Sequence, residues 1–365
     1  MDTLEKARKT INDVDRELAR LFVERMHAVE EVARYKEERG LPIFDAFREQ
    51  EVLKRTGALV EDDVLRSYFL LFMQETMKIS KSYQKSLISG VRVAYSSVEG
   101  AFAHIAASRL FPDGVLVSYP DFASAYQAVE KGDCELCVLP LENSYAGEVT
   151  QVLDLTYGGS LSITSVHKLR VKHNLLALPG TKIGDIKTVI SHPQALDQCM
   201  GYIKAHGFDT VRSQNTAIAA QSVAEGDDRT VAAIASADTA SLYGLSVIDH
   251  DINESDTNTT RFAVYSRTPN ENTGKKDNIF LLLFTVSNTA GALAKAVNVI
   301  SAYGFNMRVL RSRPVKDKPF EYYFYVEAEG DERSERGQSM LKALTACCQS
   351  LKIAGRYAPE TTLEN

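Results

Sequence analysis

Cys134-Glu135-Leu136-Cys137-Val138-Leu139-Pro140-Leu141-Glu142-Asn143-Ser144-Tyr145-Ala146-Gly147 is the stretch on which the reading of the fold turns. Its first half is a short apolar run of the kind that forms a buried strand; its second half, polar and ending in glycine, has the composition of a strand-to-helix turn. Glycine there permits close approach of backbone to a ligand, and such a turn presents backbone N–H groups that suit an anion. Cys134 and Cys137 form a C-x-x-C within the run. Residues three apart on a strand point to opposite faces, so neither a redox pair nor a metal site is expected. Five cysteines, an odd number, also argue against a secreted disulfide framework.

Outward from this stretch the same grammar repeats. Residues 91–95, 161–166, 174–178, 188–190 and 231–235 are further short apolar runs separated by helical segments. They predict an α/β domain over residues 91–267 with ligand sites near its strand ends. Ahead of it, residues 1–88 contain few turn formers and carry helical spacing. After it, the polar residues 268–277, with Pro269 and Gly274, read as a linker. Then come strand (278–286), helix (291–303), strand (306–312), strand (321–327), helix (334–350) and strand (351–357). That is the βαββαβ order of a ferredoxin-like α+β fold over residues 278–358. A disordered tail is expected from Pro359.

At 365 residues, 44% of them hydrophobic, the chain can bury two or three separate cores. A net charge of -6 provides no general basic surface for nucleic acid. No apolar run approaches a membrane span, and residues 1–9 are charged and lead straight into a helical pattern. Membrane association is therefore not expected, and the cytoplasm is the expected location.

The first region predicts one long helix to residue 38, ended by Gly40-Leu41-Pro42, a second over 46–56 capped by Asp45, and a third over 62–87. Leu4, Ile11, Leu18 and Val32 keep a seven-residue register whose fourth member is Arg25. A guanidinium there is costly to desolvate unless anions meet it. Arg8 and Lys36 share the register of Phe22 and Val29. Asp45, Arg48, Glu49 and Val52 occupy one face of the second helix, and Ser80 and Gln84 continue the Phe69, Met73, Thr76 stripe of the third. These polar groups converge on an interior, either as snorkelling cations with internal salt bridges or as a site for an anion. The first helix is too long to bury its stripe within so small a unit, which predicts an intertwined dimer.

In order and spacing, Arg8, Arg25, Lys36, Asp45, Arg48, Glu49, Ser80 and Gln84 resemble the active-site set of the all-helical chorismate mutases. The resemblance implies an isomerase that rearranges the dicarboxylate chorismate to prephenate without proton transfer or a nucleophile. It implies that Arg25, Arg48, Ser80 and Arg8 of the partner subunit hold carboxylates, which guanidinium forks suit. Lys36 and Gln84 would donate to the ether oxygen, and Asp45 and Glu49 would hold the ring hydroxyl and the second helix.

In the middle region Ser191-His192-Pro193-Gln194-Ala195-Leu196 repeats the strand-then-turn design. Asn215-Thr216-Ala217 and Asn258-Thr259-Thr260-Arg261-Phe262 add hydroxyls and amides at strand or loop ends. Singly, each is as well explained by helix capping. Together with the Glu142-Asn143-Ser144 turn and Tyr243-Gly244-Leu245 they resemble prephenate dehydratase. The resemblance implies two α/β lobes, similar to those of periplasmic binding proteins, with the active site between them, and a lyase that expels a ring hydroxyl and carbon dioxide from prephenate. Thr260 is the implied hydrogen-bond donor to the departing hydroxyl. Arg261 would hold a carboxylate or else form a structural salt bridge, while Asn143, Ser144, Gln194 and Thr216 would orient the substrate. His173 and His192 are expected to be structural. The chain departs from the family at Ser97, Val98 and Ala101, where Gly, Pro and a hydroxyl residue are usual, and a changed turn is expected at the first two.

Gly291, Ala292 and Leu293, with Ser312, Arg313 and Pro314, resemble the Gly-Ala-Leu and Glu-Ser-Arg-Pro motifs by which the ACT domains of these dehydratases bind phenylalanine. The usual glutamate is Arg311 here. The chain as a whole thus resembles a multidomain fused chorismate mutase and prephenate dehydratase with an ACT regulatory domain. This implies a homodimer or homotetramer of phenylalanine biosynthesis, inhibited by phenylalanine, with no cofactor and no metal. The competing reading, a non-catalytic amino-acid sensor, rests on Ala101 and Arg311. Cys347 and Cys348, adjacent in the last predicted helix, cannot both face its core.

Overall fold

The computed structural model describes residues 2–270, 278–316 and 318–363, so most of the predicted linker lies outside the described residues. The chain divides into two compact units, residues 1–92 with the short pieces 113–115 and 132–135, and the remainder.

The first unit consists of α1 (Thr3–Glu38), α2 (Ala46–Gly57) and α3 (Asp63–Ser89). Asp45 starts α2 by accepting from the Arg48 N–H, and Asp62 starts α3 by accepting from the N–H groups of Val64 and Leu65. Val29 and Ala33 are the buried residues of α1, and Thr76, Met77, Ser80, Ser82 and Gln84 those of α3. The rest of the apolar stripe is uncovered: Leu4, Ile11 and Leu18 are 54%, 58% and 45% exposed.

In the second unit, β1 (Arg92–Ser96), α4 (Phe102–Leu110), β2 (Val115–Tyr119), α5 (Phe122–Lys131), β3 (Leu136–Asn143), β4 (Gly147–Glu148), α6 (Thr150–Gly158) and β5 (Ser162–Arg170) form a first lobe. The second lobe comprises β6 (Asn174–Ala177), β7 (Thr188–Ser191), α7 (Pro193–Gln198), α8 (Met200–His206), β8 (Asp209–Arg212), α9 (Thr216–Glu225), β9 (Val231–Ala235), α10 (Ala237–Tyr243) and β10 (Ser246–Asp249). β11 (Thr259–Ser266) then returns to the first lobe, between β5 and β3. The C-terminal part follows the predicted βαββαβ order: β12 (Ile279–Thr285), α11 (Ala292–Ala302), β13 (Asn306–Pro314), β14 (Tyr322–Glu329), α12 (Glu335–Thr345) and β15 (Ser350–Tyr357).

The second lobe has its own sheet, β10-β6-β9-β7-β8, whereas the first lobe and the C-terminal part share one, because β15 pairs with β5. The two strands meet at Gly355 and Ile163, where a Cβ on the glycine would come within 2.7 Å of the isoleucine. Among the described residues no helix is long and apolar enough to cross a membrane.

Three expectations are corrected. The chain past Pro359 is ordered, with β16 (Thr361–Leu363) pairing in parallel with β5, Leu363 packing on the first lobe's core and the Glu360 side chain only 3% exposed. α12 stops at Thr345, so Cys347 and Cys348 lie beyond the helix and both pack against the core around Phe280, Phe284 and Ile300. At the departure from the family pattern, Ser97 holds a left-handed φ of 81°, at a strain of about 1 kcal/mol or more. Its Oγ accepts from Asn215 Nδ2 at 2.8 Å. Finally, Glu142 to Gly147 is the β3–β4 hairpin turn rather than a direct strand-to-helix turn.

Candidate active site

In the first unit, Arg25 donates to Ser80 Oγ, which in turn donates to the Thr76 carbonyl at 2.8 Å. Burial holds the Arg25 guanidinium below its ordinary pKa. Lys36 Nζ donates to the Ile43 carbonyl at 2.6 Å. Glu49 pairs with Lys81 at 2.6 Å, and Arg48 pairs with Glu51 at 2.5 Å. Gln84 is buried, and its Oε1 accepts no hydrogen bond from the described residues. Arg8 is exposed near the start of α1, roughly 25 Å along the helix axis from Arg25.

In the second unit, a cavity of about 320 Å³ is lined from the first lobe by Ala101, Phe102, Phe122, Asn143 and Thr260, and from the second by His173, His192, Gln194 and Thr216. Four of the six residues expected at a dehydratase site therefore lie on one wall or another of this space. Ala101 contributes no side-chain cap to α4, as its missing hydroxyl implies.

The polar groups around the cavity have a fixed polarity that can be traced from the backbone. The N–H groups of Tyr145 and Ala146 donate to Asn143 Oδ1 at 3.0 and 2.9 Å, which fixes the orientation of that amide. These are the N–H groups that the sequence offered to an anion, so that expectation is corrected. Asn143 Nδ2 then donates to Thr260 Oγ1 at 3.0 Å and to Asn258 Oδ1 at 2.8 Å. Asn258 Nδ2 donates to Gln198 Oε1 at 2.8 Å, and His173 Nε2 reaches the same oxygen at 2.9 Å. His173 therefore carries its proton on Nε2, and its buried Nδ1, which has no partner among the described residues, is an acceptor. At the other branch, Thr260 Oγ1 already accepts a hydrogen bond, so its own proton is free to be given. The sequence marks Asn258 as an amide at a loop end and Gln198 as following a motif, but assigns neither a site role. The one cue was their place beside Thr260 and after the Ser-His-Pro-Gln turn.

Two expected residues lie elsewhere. Ser144 joins β3 to the start of β11: its Oγ accepts from the Thr259 N–H at 3.0 Å and donates to the Thr257 carbonyl at 3.3 Å. Arg261 meets Glu142 at 3.1 Å, Glu327 at 2.7 Å and Glu360 at 2.5 Å. Of the two roles expected for it, the salt bridge is the one its geometry serves. Burial works against its charge, but Glu327 and Glu360 more than offset this and raise its pKa. Glu360, whose burial favours the neutral acid, is nevertheless held below its ordinary pKa by Arg261 and Lys168.

In the C-terminal part, Gly291 has φ 83° and begins α11, beside an open groove of about 470 Å³ bounded by Lys295, Asn298, Val299 and Tyr303. Leu293 packs on the core, Ser312 is exposed, and Arg313 faces Asp154 at 3.6 Å.

The chain combines a helical unit holding a partly buried guanidinium with a two-lobed unit whose cavity is walled by an oriented chain of donors and acceptors, as suits a multidomain enzyme. Residues 7–85 match the chorismate mutase type II family and residues 93–270 the prephenate dehydratase family. A bifunctional chorismate mutase/prephenate dehydratase of Enterobacter agglomerans is 30% identical over 98% of this chain and 96% of its own length. The arogenate dehydratase/prephenate dehydratase 1 of Arabidopsis thaliana is 33% identical over 74% of this chain and 72% of its own. Among solved structures, GqqA, described as a novel type of quorum quenching acylase, is similar with a TM-score of 0.69, 32% identity and coverage of 73% of this chain and 98% of that one. The prephenate dehydratase of Arthrobacter aurescens in complex with L-Phe has a TM-score of 0.69, 26% identity and coverage of 73% and 90%. The chain belongs to the bifunctional chorismate mutase/prephenate dehydratase family.

Proposed function

We propose that the chain is a bifunctional enzyme of phenylalanine biosynthesis: residues 1–88 rearrange chorismate to prephenate, and residues 91–267 dehydrate and decarboxylate prephenate to phenylpyruvate. The observation that carries the second step is the Thr260 hydroxyl, buried at the cavity wall with its oxygen already accepting from Asn143. As carbon dioxide leaves, the electron pair of the breaking carbon–carbon bond enters the ring, which becomes aromatic. The ring carbon–oxygen bond gives its pair to the hydroxyl oxygen, which departs as water with a proton drawn from solvent. Thr260 stabilises the charge growing on that oxygen by a hydrogen bond and is too weak an acid to ionise. Gln194 and Thr216 hold the remaining polar groups of the substrate, while Asn143, whose amide is engaged by Thr260, Asn258, Tyr145 and Ala146, acts by orienting Thr260.

The first step needs a folded dicarboxylate and a donor at its ether oxygen. Arg25, Arg48 and Ser80 grip the carboxylates, Lys36 and Gln84 donate to the ether oxygen, and Asp45 and Glu49 hold the ring hydroxyl and α2. Arg8 is too far along α1 to join this set, which supports its acting as Arg8 of the partner subunit. The uncovered Leu4, Ile11 and Leu18 support the same pairing of two chains, since exposed apolar stripes mark association surfaces.

Residues 278–358 form an ACT domain that takes phenylalanine at Gly291, Ala292 and Leu293 and at the Ser312 strand, as an inhibitor of the second step. The open groove beside α11 supports this, and Arg313, engaged with Asp154, stands outside it. Purified chain given chorismate should form prephenate and then phenylpyruvate, and phenylalanine should slow only the second conversion. Turnover of neither substrate sinks the reading. Preference for arogenate would keep the dehydration and correct its substrate.

A further inference from the structure

The sequence left the charge at Arg311 without a purpose, and its partners supply one. Glu142 and Glu148 stand directly opposite each other across the β3–β4 hairpin. Like charges in that relation are destabilising unless a cation bridges them. Arg261 reaches Glu142, but that guanidinium is also shared with Glu327 and Glu360. Arg311, on β13 of the C-terminal part, places Nη2 2.5 Å from Glu142 and Nε 3.2 Å from Glu148. One guanidinium thus ties both strands at the base of the hairpin. The tip of that hairpin holds the N–H groups of Tyr145 and Ala146, which set Asn143, which in turn sets Thr260.

We infer that Arg311 is a positioning residue for the dehydratase cleft: from the C-terminal domain it clamps the 142–148 hairpin and so holds Asn143 and Thr260 in register with the substrate. This rests on the dehydratase reading of the cavity.

The test uses the full chain as Arg311→Ala and Arg311→Lys, with Lys316→Ala as control. Lys316 also bridges to the first lobe, at Asp154, but outside the hairpin. Arg311→Ala should lower kcat on prephenate about tenfold or more, with KM moving far less and with mutase turnover in the same sample unchanged. Arg311→Lys should recover part of the loss. Independently of activity, hydrogen exchange at the Tyr145 and Ala146 amides should speed up about tenfold in Arg311→Ala and stay unchanged in Lys316→Ala. Unaltered exchange in Arg311→Ala overturns the clamp, whatever happens to kcat. Faster exchange with unchanged kcat overturns the positioning role. Faster exchange in a chain whose unmodified form leaves prephenate intact upholds the clamp and removes the dehydratase reading instead.

Discussion

The helical unit and the two-lobed cleft handle polarity in opposite ways. In the cleft, each amide from Asn143 to Gln198 is oriented by its predecessor, and one chain supplies every member of the relay. In the helical unit, Arg25 leans on a serine hydroxyl, Gln84 Oε1 is without a protein partner among the described residues, and the apolar stripe of α1 faces outward. The difference teaches where each proposal is exposed: the polar relay of the cleft closes within one chain, whereas the proposed helical site calls on a second copy. The sharpest break of this comparison is Thr260→Ala. Removing a donor preorganised for the leaving oxygen should cut prephenate turnover by about 100-fold and leave chorismate rearrangement untouched in the same sample. Equal loss of both activities would mean that the two sites are not independent.

The next test reverses the asymmetry. Ile11→Glu with Leu18→Glu places two charges on the uncovered stripe, and desolvating them against a second copy is costly. Sedimentation should show dissociation, with mutase activity falling about tenfold or more while dehydratase activity persists. Mutase activity that survives in a proven monomer would show that one helical unit is sufficient.

What was legible in the sequence follows the range of the interaction concerned. The βαββαβ order, the cap at Asp45 and the place of Asn143, Gln194, Thr216 and Thr260 near strand or helix ends all depend on neighbours within a few residues. Ser144 and the tail at Glu360 went otherwise, and the choice between the two roles of Arg261 stayed open, because their partners are distant in the chain: Glu327 for the arginine, Thr259 for the serine, and Lys168 with Arg261 for the glutamate. A strand periodicity says which face a residue takes, and it cannot say whether that face meets a cavity or another domain. Arg311 was visible only as a departure from a motif, and its meaning needed the hairpin opposite.

Acid should separate the units as well. Burial, then the neighbouring His192, hold the His173 imidazole below its ordinary pKa against the opposing pull of the Gln198 bond, and burial alone lowers His192. The unfolded chain therefore binds more protons as pH falls through about 6.5, so the stability these residues leave intact above that value is lost on acidification. The first unit's one histidine, His27, is exposed. Denaturant unfolding of the cleft should weaken between about pH 7 and pH 5, less steeply in His173→Gln. A slope unchanged by that substitution would assign the acid sensitivity to other groups.

The smallest expected effect compares two aspartates with the same local duty. Asp62 accepts from the Val64 and Leu65 N–H groups at 2.9 Å, and Asp45 accepts from the Arg48 N–H at 2.9 Å. Losing either cap should cost about 1 kcal/mol of helix stability, since an orphan N–H is exposed at the helix start in both cases. Their other roles differ: Asp62 precedes α3 on a side with no expected site residue, while Asp45 belongs to the chorismate set. Thermal unfolding of Asp62→Ala and Asp45→Ala should therefore shift by similar amounts, with mutase KM rising only in the second. If both variants lose mutase activity equally, the Asp45 effect is that of a helix start and nothing more, and the substrate-facing set contracts to the residues around Arg25, Lys36 and Gln84.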